Sequence, residues 1–198
     1  SLVGSEMCIR DRFYTPREIV QYMVDESLVT HLKRTVGNEL ESEYRKLLDY
    51  ADNEILLTEQ QKLAIMQSLY NCKILDPACG SGAFPVGVLQ QMVHILKQID
   101  PDNSRWKNML LQFAIDETSE AYLNSTAEER REAVADIERA FDENVNYPDY
   151  ARKLHLIENC IYGVDIQPIA IQISKLRFFI SLVIDQKRNN NPADNFGI

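Results

Sequence analysis

Two short apolar runs, each ending in an aspartate and each delivering the chain into a helix, constrain this sequence most. Lys73-Ile74-Leu75-Asp76 leads through a turn, Pro77 to Gly82, into an apolar helical stretch at residues 83–97. Ile161-Tyr162-Gly163-Val164-Asp165 leads into a second helix opened by Pro168, with Ile169, Ile173, Leu176, Ile180 and Val183 at helical spacing. Two such β-α units in series predict an α/β fold, a parallel sheet with covering helices. In open sheets of this kind ligands sit beyond the carboxyl ends of the strands, so Asp76 and Asp165 are expected to share one edge. Far more chain separates them than a single crossover helix needs, which predicts a helical insertion at about residues 98–146.

Capping signals place the remaining helices. Thr15-Pro16-Arg17-Glu18 reads as a helix start, with Thr15 as N-cap, Pro16 at the first position and Glu18 closing a capping box. Ile19, Val20, Met23, Val24, Leu28 and Leu32 would form its buried face, and Gly37 its stop. Thr58 and Gln61 repeat the box ahead of Leu63, Met66 and Leu69, as do Thr126 and Glu129 ahead of Val134, Ile137 and Phe141. Pro148 starts a helix carrying Leu154 and Ile157. Residues 1–12 show no apolar period and read as a non-native or disordered leader. Asn189-Asn190-Asn191-Pro192 reads as a loop, and the chain is expected to be a fragment of a longer protein.

Charge separates the two kinds of segment. The chain carries a net charge of −9, and residues 98–153 hold 13 of its acids against 7 bases. That stretch is expected to be a solvated accessory region, and nothing in the chain reads as a main DNA-gripping surface. No apolar run is long enough to span a bilayer, and no secretory signal is visible. Cys8, Cys72, Cys79 and Cys160 form no Cys-x-x-Cys pair, which argues against a disulfide or zinc framework and for a cytoplasmic chain with reduced thiols. His31, His94 and His155 have no metal-ligand spacing and are expected on helix surfaces, while Trp106 reads as a packing anchor. Cys79 has no histidine near it in sequence and reads as a small turn residue rather than a nucleophile.

The turn Asp76-Pro77-Ala78-Cys79-Gly80-Ser81-Gly82 carries the chemistry. Glycine admits unusual backbone angles and lets a ligand approach the main chain. The three-glycine dinucleotide pattern is not met, because Phe84 and Pro85 occupy the place of its third glycine, and there is no Gly-Lys-Ser/Thr of a nucleotide P-loop. An acid at the strand tip repels a pyrophosphate and suits a cationic cofactor, and S-adenosylmethionine has an ammonium, a sulfonium and no phosphate. Asp165 would accept from ribose hydroxyls with Ile166 flanking an adenine, or else would only cap the following helix. Thr15 and the helix N-terminus behind it would meet a carboxylate, or else serve capping alone.

Three separated segments resemble successive motifs of the adenine-N6 DNA methyltransferases. These are Phe-Tyr-Thr-Pro-Arg-Glu-Ile-Val from Phe13, Asp-Pro-Ala-Cys-Gly-Ser-Gly-Ala-Phe from Asp76, and Ile-Tyr-Gly-Val-Asp-Ile-Gln-Pro from Ile161. They stand in the order of the arrangement that puts the methionine-contacting motif first. The nearest look-alikes are the type II (IIG-like) enzymes that fuse cleavage and methylation in one chain. The resemblance implies a Rossmann-like S-adenosylmethionine-dependent methyltransferase fold with an incomplete parallel sheet, spanning residues 13–198. It further implies that Tyr14, Thr15 and Pro16 contact the methionine end. Asp76, Pro77 and the backbone from Ala78 through Cys79, Gly80 and Ser81 to Gly82 would cradle the amino acid and sulfonium. Asp165 would bind the ribose, Ile166 would pack on adenine, and Phe84 would lie beneath the cradle.

The family's catalytic Asn/Asp-Pro-Pro-aromatic motif does not occur; Asn191-Pro192-Ala193 lacks its second proline and its aromatic. The chain is therefore expected to bind cofactor without transferring methyl. Duplex DNA is the implied partner, engaged through a downstream region. Two alternatives stay open: a methyltransferase acting on protein or a small molecule, and a non-catalytic interaction module.

Overall fold

The computed structural model describes residues 15–116 and 125–187. The leader, Phe13, Tyr14 and the Asn189–Pro192 loop lie outside them. The elements in chain order are α1 (Arg17–Thr35), a 3-10 turn (Asn38–Leu40), α2 (Glu41–Leu48), α3 (Glu59–Tyr70), β1 (Ile74–Asp76), α4 (Ala83–Ile99), α5 (Ser104–Ile115), α6 (Ala127–Ala140), α7 (Asp149–Asn159), β2 (Ile161–Gly163) and α8 (Pro168–Val183). Among the described residues the sheet has two strands, β1 and β2, paired in parallel with Ile74 opposite Ile161 and Asp76 opposite Gly163. The architecture is thus α/β with a small parallel sheet, and both expected strands sit where the apolar runs put them. Strand β2 ends two residues early, so Asp165 stands on the loop beyond it.

Helix α4 is the centre of the core. It buries Val86, Val88, Leu89, Met92, Val93, Ile95, Leu96 and Ile99, so it is apolar on nearly every side, as a helix enclosed by others must be. Its one fully buried amide, Gln91, donates to Asp25 Oδ1 on α1 at 2.6 Å and to the Leu48 carbonyl ending α2 at 3.2 Å. A buried amide needs such partners, and these tie three helices together.

Helix α1 departs from the expected start. Pro16 is its N-cap, no side chain caps it, and the Thr15–Glu18 box does not form. The Pro16 carbonyl accepts from Ile19 and Val20, and Thr15 is left outside the helix. The buried stripe is Val20, Val24, Leu28, Val29 and Leu32, while Ile19 and Met23 are exposed. Val20 and Val24 face Gly87 on α4, which sets the stripe. The other two capping boxes form in full, Thr58 with Gln61 and Thr126 with Glu129.

The acidic stretch divides into two unlike parts. Helix α5 buries Trp106, Met109, Leu110 and Ala114 and belongs to the core, contrary to the expectation of a solvated region. Its seat is a buried ion pair. Asp100 and Arg152 are both almost fully enclosed; Arg152 bonds the Asp100 carbonyl and lies 3.7 Å from its carboxylate, and Asp100 Oδ2 accepts from the backbone N–H of Trp106 at 2.9 Å. Helix α6 fits the expectation, since none of its residues is buried.

His155 corrects the surface placement of the histidines. It stacks on Tyr70 with 4.6 Å between ring centroids and meets Trp106 edge-on at 5.4 Å. Burial, with a smaller push from Lys73, lowers its pKa to about 4. Among the described residues, no helix is long and apolar enough to cross a membrane.

Candidate functional site

The turn after β1 is built from its own polar groups. Asp76 Oδ1 accepts from the Ala78 N–H at 3.0 Å, folding the acid back over the next two residues. Cys79 N–H then donates to the Val164 carbonyl at 2.9 Å, extending the ladder past the strand ends. Gly80 (φ +53°) and Gly82 (φ +84°) occupy the left-handed region that other residues avoid, and this bends the chain into α4. The Gly82 N–H closes the turn on the Cys79 carbonyl at 2.8 Å.

Asp165 reaches this turn from the neighbouring strand. Its Oδ2 accepts from the Gly80 N–H at 2.9 Å and its Oδ1 from the Gln167 N–H at 2.7 Å. The first bond joins the two loops across 85 residues of sequence; the second shapes the entry to α8. Each carboxylate oxygen keeps a second acceptor position. Gln167, not Asp165, is the N-cap of α8, so simple helix capping does not describe this acid.

Between the two loops lies a cavity of about 480 Å³, a size ordinary for a small-molecule site. Thr15, Phe84, Asp165 and Ile166 line it together with the turn residues Ala78, Cys79, Gly80 and Ser81. Gly80 faces open space there, with nothing within 4 Å of where a Cβ would stand. Ile166 is 95% exposed, an extreme for a large aliphatic side chain that has a cavity beside it. Asp165 is the only charged residue among those described that line the cavity, and none of them is Lys or Arg.

Four expected site residues are not in this wall. Asp76 and Pro77 line a different cavity, about 410 Å³, between β1 and α1, where they meet Met23, His31 and Leu75. The bond to Ala78 explains the turning away of Asp76, and its Oδ2 is buried without a partner. Pro16 and Gly82 shape the elements around the first cavity but do not line it, and Tyr14 lies outside the described residues. Phe84 lines both cavities and separates them. Sequence reasoning missed Ala83, Gln167, Ile169, Ala170 and Ile173, the first turns of α4 and α8. The helical spacing of Ile169 and Ile173 is visible in the sequence, but spacing alone does not say what that face meets.

Cys79 is nearly enclosed against Gly163, where an added Cβ would come within 3.0 Å of its sulfur. Burial raises the thiol pKa, and the Asp76 and Asp165 carboxylates raise it further. Both acids therefore bear on the same turn from the same rim of the sheet, although their side chains serve different cavities. A thiol so protonated is a packing group and not a nucleophile.

No family model matches the chain, and no solved structure matches it. One curated protein does: a Methanocaldococcus jannaschii protein under the provisional name of type II restriction enzyme and methyltransferase, 26% identical over 183 residues. The likeness is to a restriction–modification methyltransferase. It covers 86% of this chain and 12% of that protein, so the chain spans about one-eighth of its relative's length. A continuous match of that extent necessarily contains both the Asp76–Gly82 turn and Asp165.

Proposed function

We propose that this chain is the S-adenosylmethionine-binding part of a site-specific DNA adenine-N6 methyltransferase of a restriction–modification system, built on a Rossmann-like methyltransferase fold. One observation carries it: the cavity at the carboxyl ends of two parallel strands holds one carboxylate, a bare glycine backbone and no cationic side chain among the described residues. A phosphate-bearing nucleotide would meet Asp165 with nothing to offset its charge, whereas a cationic, phosphate-free nucleoside meets attraction. The likeness to a restriction–modification methyltransferase supports the same assignment.

Each residue then has a task. Asp165, held by the Gly80 and Gln167 N–H groups, offers its remaining acceptor positions to the two ribose hydroxyls. Ile166 and Ile169 give an apolar bed for the adenine ring. The backbone of Ala78 to Ser81 receives the amino acid portion, with Gly80 leaving room for close approach. Thr15, freed from helix capping, stands at the α1 end of the cavity for the methionine carboxylate. Asp76 acts at one remove, by holding the turn through Ala78. Bound S-adenosylmethionine would supply an electrophilic methyl on sulfur, and the protein's part is to hold it in line with a flipped-out adenine and to exclude water. Recognition of duplex DNA and the polar grip on N6 would come from parts of the protein beyond these residues.

Calorimetric titration of the 198-residue chain with S-adenosylmethionine tests the assignment. Binding is expected, and Asp165→Ala should weaken it by about a hundredfold, the cost of losing two charge-assisted hydrogen bonds. A folded chain that ignores the cofactor, or that binds it equally well without Asp165, would overturn the assignment. Tritiated-methyl transfer to DNA is expected to be absent, because the chain has no Asn/Asp-Pro-Pro-aromatic motif. Turnover by the purified chain would show that the catalytic groups lie within it.

A further inference from the structure

Helix α8 walls the cavity with Ile169, Ala170 and Ile173, yet Ser174 is its single buried residue. A wall so lightly seated needs something to hold it at the right distance from the turn. Two contacts, one turn apart on the same face of α8, do so. Ser174 packs on Gly82: a Cβ at position 82 would stand 2.4 Å from Ser174 Oγ and 3.4 Å from its Cα, so the helix backbone rests on the glycine. Arg177 then reaches past it, and its Nη1 donates to the Ser81 carbonyl at 3.0 Å.

The second contact has a directional consequence. A planar trans peptide holds its C=O and the following N–H on opposite sides. Fixing the Ser81 carbonyl toward α8 therefore fixes the Gly82 N–H toward Cys79, the bond that closes the turn. Arg177 does not line the cavity and would not touch a ligand there. Its guanidinium instead sets the shape of the backbone that would. A neutral donor could make the same bond, but a charged one makes it about twice as strong.

We propose that Arg177 is a positioning residue for the cofactor cavity: through the Ser81 carbonyl it locks the glycine turn to α8, so that cradle and wall keep one spacing. This rests on the cofactor reading given above and adds a residue that reading does not use.

The test compares the wild-type chain with Arg177→Ala and Arg177→Lys, using three measurements: S-adenosylmethionine affinity, melting temperature without ligand, and amide hydrogen exchange across residues 78–82 without ligand. Arg177→Ala is expected to bind about tenfold more weakly, the worth of one charge-assisted hydrogen bond. Exchange should quicken at the turn alone, with the melting temperature unchanged, because Arg177 is exposed. Arg177→Lys, which keeps a charged donor, should recover part of the affinity. Wild-type binding that is matched by Arg177→Ala overturns the inference and leaves the cofactor site standing. A fall in melting temperature that parallels the loss of affinity, with no recovery by lysine, makes Arg177 a stability residue and also overturns it. A wild-type chain that does not bind fails at the earlier step, and both readings fall together.

Discussion

A carboxylate and a histidine in this chain are placed by opposite rules. Asp165 is half-exposed and bonded through both oxygens to backbone N–H groups, so it is held at the surface by polar partners. His155 is taken from water and stacked among rings, so it stays neutral. The unfolded chain protonates this imidazole near its ordinary value of 6.5 and the folded chain only near 4. The folded pKa is the lower one, so the contribution to stability is complete above about pH 7 and is lost as pH falls toward 4. Its size is on the order of 3 kcal/mol. Urea unfolding at pH 7.5 and pH 4.5 should show a steeper loss for the wild type than for His155→Phe. Equal losses in the two proteins would remove the histidine from the account.

Among the elements, α4 and α6 mark the extremes. Helix α4 is enclosed on nearly every side and gains its stability from burial. Helix α6 buries no residue, so local terms weigh more in it. Its capping box is the chief of these: Thr126 Oγ1 accepts from the Glu129 N–H at 3.2 Å, while Glu129 bonds back to the Thr126 N–H and hydroxyl. Those bonds hold the Glu129 carboxyl below its usual pKa. Thr126→Ala should cost α6 about 1 kcal/mol. Hydrogen exchange is the suitable readout, with amides of 127–140 exchanging faster and those of α4 unchanged. A change spread equally over both helices would mean that α6 is not the separate, weakly held unit its burial implies.

At the scale of the molecule, much apolar surface stands uncovered on the sheet and on α8. Leu75, Tyr162 and Val164 on the sheet, and Ile169, Leu176, Ile180 and Ile184 along α8 and its end, are exposed apolar side chains. A two-stranded sheet also leaves hydrogen-bonding groups open at its edges. Exposed apolar side chains in this number favour association in water. The purified chain is expected to self-associate with rising concentration, seen by sedimentation velocity. Leu176→Glu combined with Ile180→Lys should reduce it, whereas charged substitutions on α6 should not. Monomeric behaviour at high concentration in the wild type would count against this.

The sequence by itself determined the local order: two strands, each followed by a helix, the glycine turn, and two of three capping boxes. Those features depend on neighbours a few residues apart, through alternation, caps and backbone freedom, and so they can be read without a third dimension. The pairing of the two loops by Gly80 and Asp165, the partial burial of His155 among rings, the burial of α5 and the seat of α8 on Gly82 were decided only by the tertiary structure. Each depends on groups distant in sequence competing for the same N–H, carbonyl or volume, and no local pattern records which competitor prevails. Thr15 shows the divide within one residue. Its sequence neighbours offer it a helix cap, and the fold leaves it instead at the wall of the cavity.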